Sequence, residues 1–230
     1  MSSMIKINLV NTGNVPQKFF FFQTPAQYTG GSDIYSNSIQ NVTLSPNGSF
    51  ASSYTFLINT QFFAGVQQTF SAPQVGKQSG YLSSIRPINL TPSDPALASG
   101  NAVAFSNSES TWGLGAPSAD QTAQKGAFRI SAPTFDSNVN FINAGSAVQL
   151  NDGSIVLSSF TNLLPNQNVD CQPIQQFYVQ TGGYTPGTVM NFSAASTTAA
   201  LCDATTGNND FNVIYNPDGT WSVTSGFAML

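Results

Sequence analysis

The 230-residue chain has no histidine, a single glutamate (Glu109) and only 7% charged residues, where about 25% is usual for a soluble domain. Without histidine, the Ser/His/Asp and Cys/His catalytic arrangements are excluded, along with the commonest metal ligand. One glutamate excludes Glu–Glu pairs, so a two-carboxylate site would have to be made from aspartates. The nine aspartates are dispersed, and most adjoin Gly, Pro, Asn or Ser, where Asp serves turns. No GxxxxGK[ST] pattern occurs, and Gly113-Leu-Gly115 runs into Ala-Pro-Ser rather than into a helix-opening glycine. Asn151-Asp-Gly153, Asn208-Asn-Asp210 and Pro217-Asp-Gly219 offer oxygen ligands, but none has the spaced carboxylates of a calcium loop. The expectation is a protein that is not an enzyme and that uses no cofactor and no metal.

Positive charge is equally sparse. Lys6, Lys18, Lys77, Arg86, Lys125 and Arg129 form no run, and the net charge is −4. A nucleic-acid surface needs clustered Lys and Arg to displace counterions, so no nucleic-acid partner is expected. Long apolar runs are absent too. Asn8 and Asn11 interrupt the N-terminal apolar stretch, so neither a cleaved signal nor a transmembrane helix is expected. That leaves the localisation open between the cytoplasm and release without a cleaved signal. Only two cysteines occur, Cys171 and Cys202. They read as structural thiols in a reducing compartment and as a bridge between strands in an exported chain. Without histidine they make no zinc site.

Apolar residues, by contrast, are plentiful: 40% of the chain is hydrophobic and 12% aromatic, with 18 phenylalanines. A disordered chain has the opposite bias. Period-two alternation runs through the chain, as in Ile5, Ile7 and Leu9. Three Gly-containing turns look like hairpins. Pro46-Asn47-Gly48 lies between Val42–Leu44 and Phe50–Ile58. Asn151-Asp152-Gly153 lies between Val148–Leu150 and Ile155–Leu157. Asn216-Pro217-Asp218-Gly219 lies between Phe211–Tyr215 and Trp221–Val223. Helix is restricted to short turns, at Asp94-Pro95 and over Ser118–Lys125. The pattern predicts an all-β, antiparallel sandwich or jelly-roll-like fold. It is read as one domain over 1–230. The alternative is two β-halves, 1–90 and 126–230, joined by the Pro-, Ser- and Gly-rich segment 91–125.

Two groups of residues stand out as candidate contacts. The run Phe19-Phe20-Phe21-Phe22 places two rings on each face of a strand. It marks either a central strand covered on both sides or a face that meets another subunit or a lipid surface. Tyr28, Tyr35, Trp112 and Tyr184 each sit beside Gly, Ser, Thr or Asn, a setting that suits stacking on neutral sugar rings as well as turn packing. With little charge to repel copies of the chain, the leading expectation is a self-assembling structural protein whose partner is itself, a homo-oligomer forming a filament, lattice or inclusion. A carbohydrate-binding, lectin-like module is the alternative. A membrane- or host-directed toxin is the third reading.

Overall fold

The computed structural model describes residues 4–49, 51–150 and 152–226. The first stretch of chain forms β1 (Met4–Asn11), β2 (Gln17–Gln23), β3 (Gln27–Thr29), β4 (Ile34–Leu44), β5 (Ser53–Asn59), β6 (Phe62–Thr69) and β7 (Leu82–Ile88). The middle stretch forms β8 (Ala102–Ser106), β9 (Gly113–Leu114), β10 (Phe128–Ser131), β11 (Phe141–Gln149) and β12 (Ile155–Asn162). The last forms β13 (Asn168–Gln172), β14 (Gln176–Thr181), β15 (Val189–Met190), α1 (Phe192–Ser196), β16 (Ala200–Asp203), β17 (Asp210–Tyr215) and β18 (Trp221–Ser225). Alternation dictates these elements: Ile5, Ile7 and Leu9 of β1 are buried while the residues between them are partly exposed.

A long sheet runs in the order β16-β14-β2-β4-β12-β11-β6-β7, with β15 added alongside β4. Two smaller sheets pack against it, β18-β17-β1-β5 and β3-β13-β10-β8-β9. The first core lies under the four-stranded sheet, where Ile7, Leu9, Phe56 and Val213 meet Phe19, Phe21, Ile39 and Val179 of the long sheet. The second lies under the five-stranded sheet, where Phe105, Phe128, Ile130 and Val169 meet Val66, Ile142 and Ala144. On β11, Ile142 and Ala144 serve the second core and Val148 the first, so one face of the long sheet carries both small sheets. The opposite face holds Phe20, Phe22, Leu157 and Phe160, which the chain covers with Val189, Met190 and Phe192. Gly145 marks the closest approach. A Cβ there would overlap the Ser159 carbonyl oxygen and the Tyr28 hydroxyl.

The all-β sandwich follows the sequence reading. Two strand pairs depart from a purely antiparallel arrangement, β1 with β17 and β8 with β10. Strands from either side of segment 91–125 share sheets, as in β1 with β17, β2 with β14 and β6 with β11. The turns at 151–153 and 216–219 close the hairpins β11–β12 and β17–β18, with Asn151 itself outside the described residues.

The turn at Pro46-Asn47-Gly48 makes no hairpin. β4 pairs with β2 and β5 pairs with β1, so residues 45–52 cross from one sheet to the other; Phe50 lies outside the described residues. The buried Asn11 amide anchors this crossing by donating to the carbonyls of Val15 (3.1 Å) and Ser45 (3.0 Å). Asp94 caps a 3-10 turn over Pro95–Leu97 as expected. Ser118–Lys125 is not helical, and an unanticipated α1 begins where the Asn191 side chain caps Ala194 N at 3.0 Å. Among the described residues no helix is long and apolar enough to cross a membrane.

Candidate functional site

Both faces of the Phe19–Phe22 run are covered by the chain itself, and no ring is more than 2% exposed. Phe21 stacks on Phe56 with centroids 4.5 Å apart, and Phe19 meets Tyr215 and Trp221 edge-on. On the other face Phe20 stacks on Phe22 (5.4 Å), and Phe22 on Tyr178 (5.0 Å). A strand covered on both sides offers nothing to a second subunit or a lipid surface, which corrects the interface reading of Phe19, Phe20, Phe21 and Phe22.

The four candidate ligand aromatics are not brought together. The Tyr28 hydroxyl lies 3.0 Å from Ser159 Oγ and accepts from Ser146 N at 3.4 Å, tying β3 to the long sheet. Burial pushes its pKa well above that of an ordinary phenol. Tyr35 stacks on Phe160 at 5.4 Å. Trp112 meets Phe105 edge-on at 5.6 Å, and its buried Nε1 has no partner among the described residues. These three serve packing. Tyr184 differs, because it lines an open cavity.

That cavity, about 330 Å³, is lined by Gly76, Gly183, Tyr184, Thr185 and Thr188. Two turns build it. In Thr185–Thr188 the Thr188 N–H donates to the Thr185 carbonyl at 3.1 Å, with Pro186 second and Gly187 third at φ 77°. Only the third position of a type II turn needs that positive φ, and glycine takes it without strain. In Gln74–Lys77 the Lys77 N–H donates to Gln74 O at 3.1 Å. The turns are joined by Gly76 N to Val189 O (2.8 Å) and by the Gln78 amide, which reaches Thr185 Oγ1, Pro186 O and Thr188 Oγ1. Phe20 braces the Tyr184 ring edge-on at 5.1 Å.

Sequence reasoning missed a buried charge network. Arg129 on β10 donates from Nε to Asp170 Oδ1 (2.6 Å) and from Nη2 to Asp170 Oδ2 (2.8 Å) and Thr122 O (3.1 Å). Its Nη1 reaches Asp120 Oδ2 (3.0 Å) and Thr122 Oγ1 (2.7 Å). All five guanidinium N–H groups are thereby used. The hollow beside it, lined by Thr29, Gly30, Gln167 and Asn168, therefore has no free arginine donor for an anion. The network clasps loop 118–126 onto β10 and β13. Its only sequence trace is an arginine between two core residues, Phe128 and Ile130. Nothing in that trace names partners 9 and 41 positions away.

Cys171 and Cys202 are free, buried and in different cores. Burial pushes both thiols up, Cys202 to about 12. No group of three metal-ligating side chains occurs among the described residues.

Two exposed surfaces stand out among the described residues. Phe70 is 81% exposed and stacks on Tyr81, 55% exposed, with centroids 4.2 Å apart; exposed Leu82 follows. This patch sits at the β7 end of the long sheet. Near the β16 end, β18 forms the edge of its own sheet and contacts β16. Asn216 N donates to Thr220 O and Gly226 N to Asp210 O. By alternation, the N–H groups of Trp221, Val223 and Ser225 then point away from β17. Strand β18 carries no charge and no proline, whereas β7 is blunted by Arg86 and Pro87. Comparison with family models, with curated proteins and with solved structures gives no match for this chain.

Proposed function

We propose that this protein is a non-enzymatic structural subunit whose partner is a second copy of itself. The observation that carries the reading is a pair of unlike, uncharged surfaces, one beside the β16 end of the long sheet and the other at its β7 end. One is the unguarded β18 edge, and the other is the Phe70–Tyr81–Leu82 patch. Eight strands in line set β16 and β7 roughly 34 Å apart at about 4.8 Å per strand. Contacts between unlike patches do not close on themselves unless a rotation brings them round, so they propagate into rings or fibres. Low charge supports this, since little repulsion opposes approach.

Light scattering across a concentration series, with negative-stain imaging of the same samples, tests it. Mass rises with concentration in the wild type. Val223→Pro removes one outward N–H without touching the β17 ladder, and Phe70→Ser removes half of the aromatic patch. Each variant stays at the monomer mass with an unchanged melting temperature. A wild-type monomer at every concentration overturns the reading, and so does assembly unaffected by either substitution.

A further inference from the structure

We infer that the cavity between the turns Gln74–Lys77 and Thr185–Thr188 is a binding site for a neutral carbohydrate. The inference does not rest on the assembly reading, because the cavity adjoins neither β18 nor Phe70.

The lining chooses the ligand class. It holds no charged side chain. It presents one aromatic ring, two threonine hydroxyls and the bare backbone of two glycines. Sugars carry apolar C–H faces that lie on aromatic rings, and hydroxyls that exchange hydrogen bonds with neutral donors and acceptors. An anion would find no cationic partner in the lining. The volume of about 330 Å³ lies at the small end of ligand pockets, which start near 300 Å³. It suits one or two sugar rings.

The site is also held in place before any ligand arrives. Thr185 Oγ1 and Thr188 Oγ1 lie 2.9 Å apart and share the Gln78 amide. Hydroxyls oriented by neighbours lose little freedom on binding. The Tyr184 hydroxyl has no partner among the described residues, while the ring's position is set by Phe20. Gly183 lines the cavity; a Cβ there would meet nothing within 4 Å, and its φ lies outside the left-handed region. A larger residue at this lining position is therefore accommodated without straining the backbone and competes with a ligand for space there.

Calorimetric titration of the full chain with maltose, cellobiose, lactose and chitobiose tests the site, with glucuronic acid as the anionic comparison. At least one neutral disaccharide binds. Gly183→Leu weakens that binding at least tenfold without lowering the melting temperature, and Tyr184→Ala does the same to the affinity. Should Tyr184→Ala unfold the region around Phe20, Gly183→Leu still reads the cavity alone. No heat from any neutral sugar at tens of millimolar overturns the inference. Binding that survives Gly183→Leu, or binding of glucuronic acid alone, overturns it as well.

Discussion

Arg129 grips Asp170 through two parallel hydrogen bonds, Nε to Oδ1 at 2.6 Å and Nη2 to Oδ2 at 2.8 Å, and both side chains are largely buried. The forked geometry matches guanidinium to carboxylate, and the remaining guanidinium protons are taken by Asp120 and Thr122. In a chain with six basic residues, one of them serves only to fasten a loop.

Asp170→Ala leaves that guanidinium buried with one carboxylate partner fewer. The expected loss is about 3–5 kcal/mol, the usual cost of stranding half of a buried pair. Urea unfolding measures it. Arg129→Lys is also costly, because an ammonium cannot donate along two parallel directions. A loss below about 1 kcal/mol for both variants would show that the clasp contributes little, as exposed ion pairs do.

Four aspartates share one local device. Asp120, Asp152, Asp203 and Asp218 each accept from the hydroxyl and the backbone N–H of the Ser or Thr two residues on. The hydroxyl bond is the leading cause that holds each carboxyl below its usual range. A folded-state pKa below the unfolded value of about 3.9 gives a contribution that is complete above that value and lost as pH falls through the folded one. No histidine titrates above it. The melting temperature is therefore expected to stay flat from about pH 5 to 8 and to fall only below about pH 4. Replacing Thr122, Thr205 and Thr220 by valine should lower the melting temperature near neutral pH and shrink its fall below about pH 4 in a calorimetric series.

Phe21 and Phe22 face opposite cores, so truncating either should damage the fold. Phe21→Ala removes the ring stacked on Phe56, and Phe22→Ala the ring stacked on Tyr178. Each is expected to cost about 3–5 kcal/mol. Lysine at either position should prevent folding, since neither face opens to water. A soluble, folded Phe22→Lys protein would mean that the outer cover formed by Tyr184 and Phe192 is dispensable.

Both cysteines should be silent in the native protein. Burial raises their thiol pKa values, and they lie in separate cores, so they should neither label nor pair. Ellman's reagent is expected to find no reactive thiol without denaturant and two with it. Labelling that tracks global unfolding supports this. Fast labelling of Cys202 in native buffer would place its strand among locally opening segments.

What the sequence determined by itself was local. Period-two alternation marks most strands, glycine marks the turns at 153 and 219, and Asp94-Pro95 marks a short capped turn. These signals are written in adjacent residues, because φ and ψ preferences and side-chain direction act over one to four positions. Missing histidine and sparse charge are likewise plain before folding. Tertiary structure alone decided how the strands pair. The turn at 46–48 has hairpin chemistry, yet β5 leaves β4 for β1 and so closes the first core. Asn8 meets Asn212 across 204 positions, a contact no local preference encodes. The same distance rule separates the aromatics. Tyr28, Tyr35, Trp112 and Tyr184 have similar neighbours in sequence, and only their places in the three-sheet packing leave Tyr184 lining a cavity while the others brace a core.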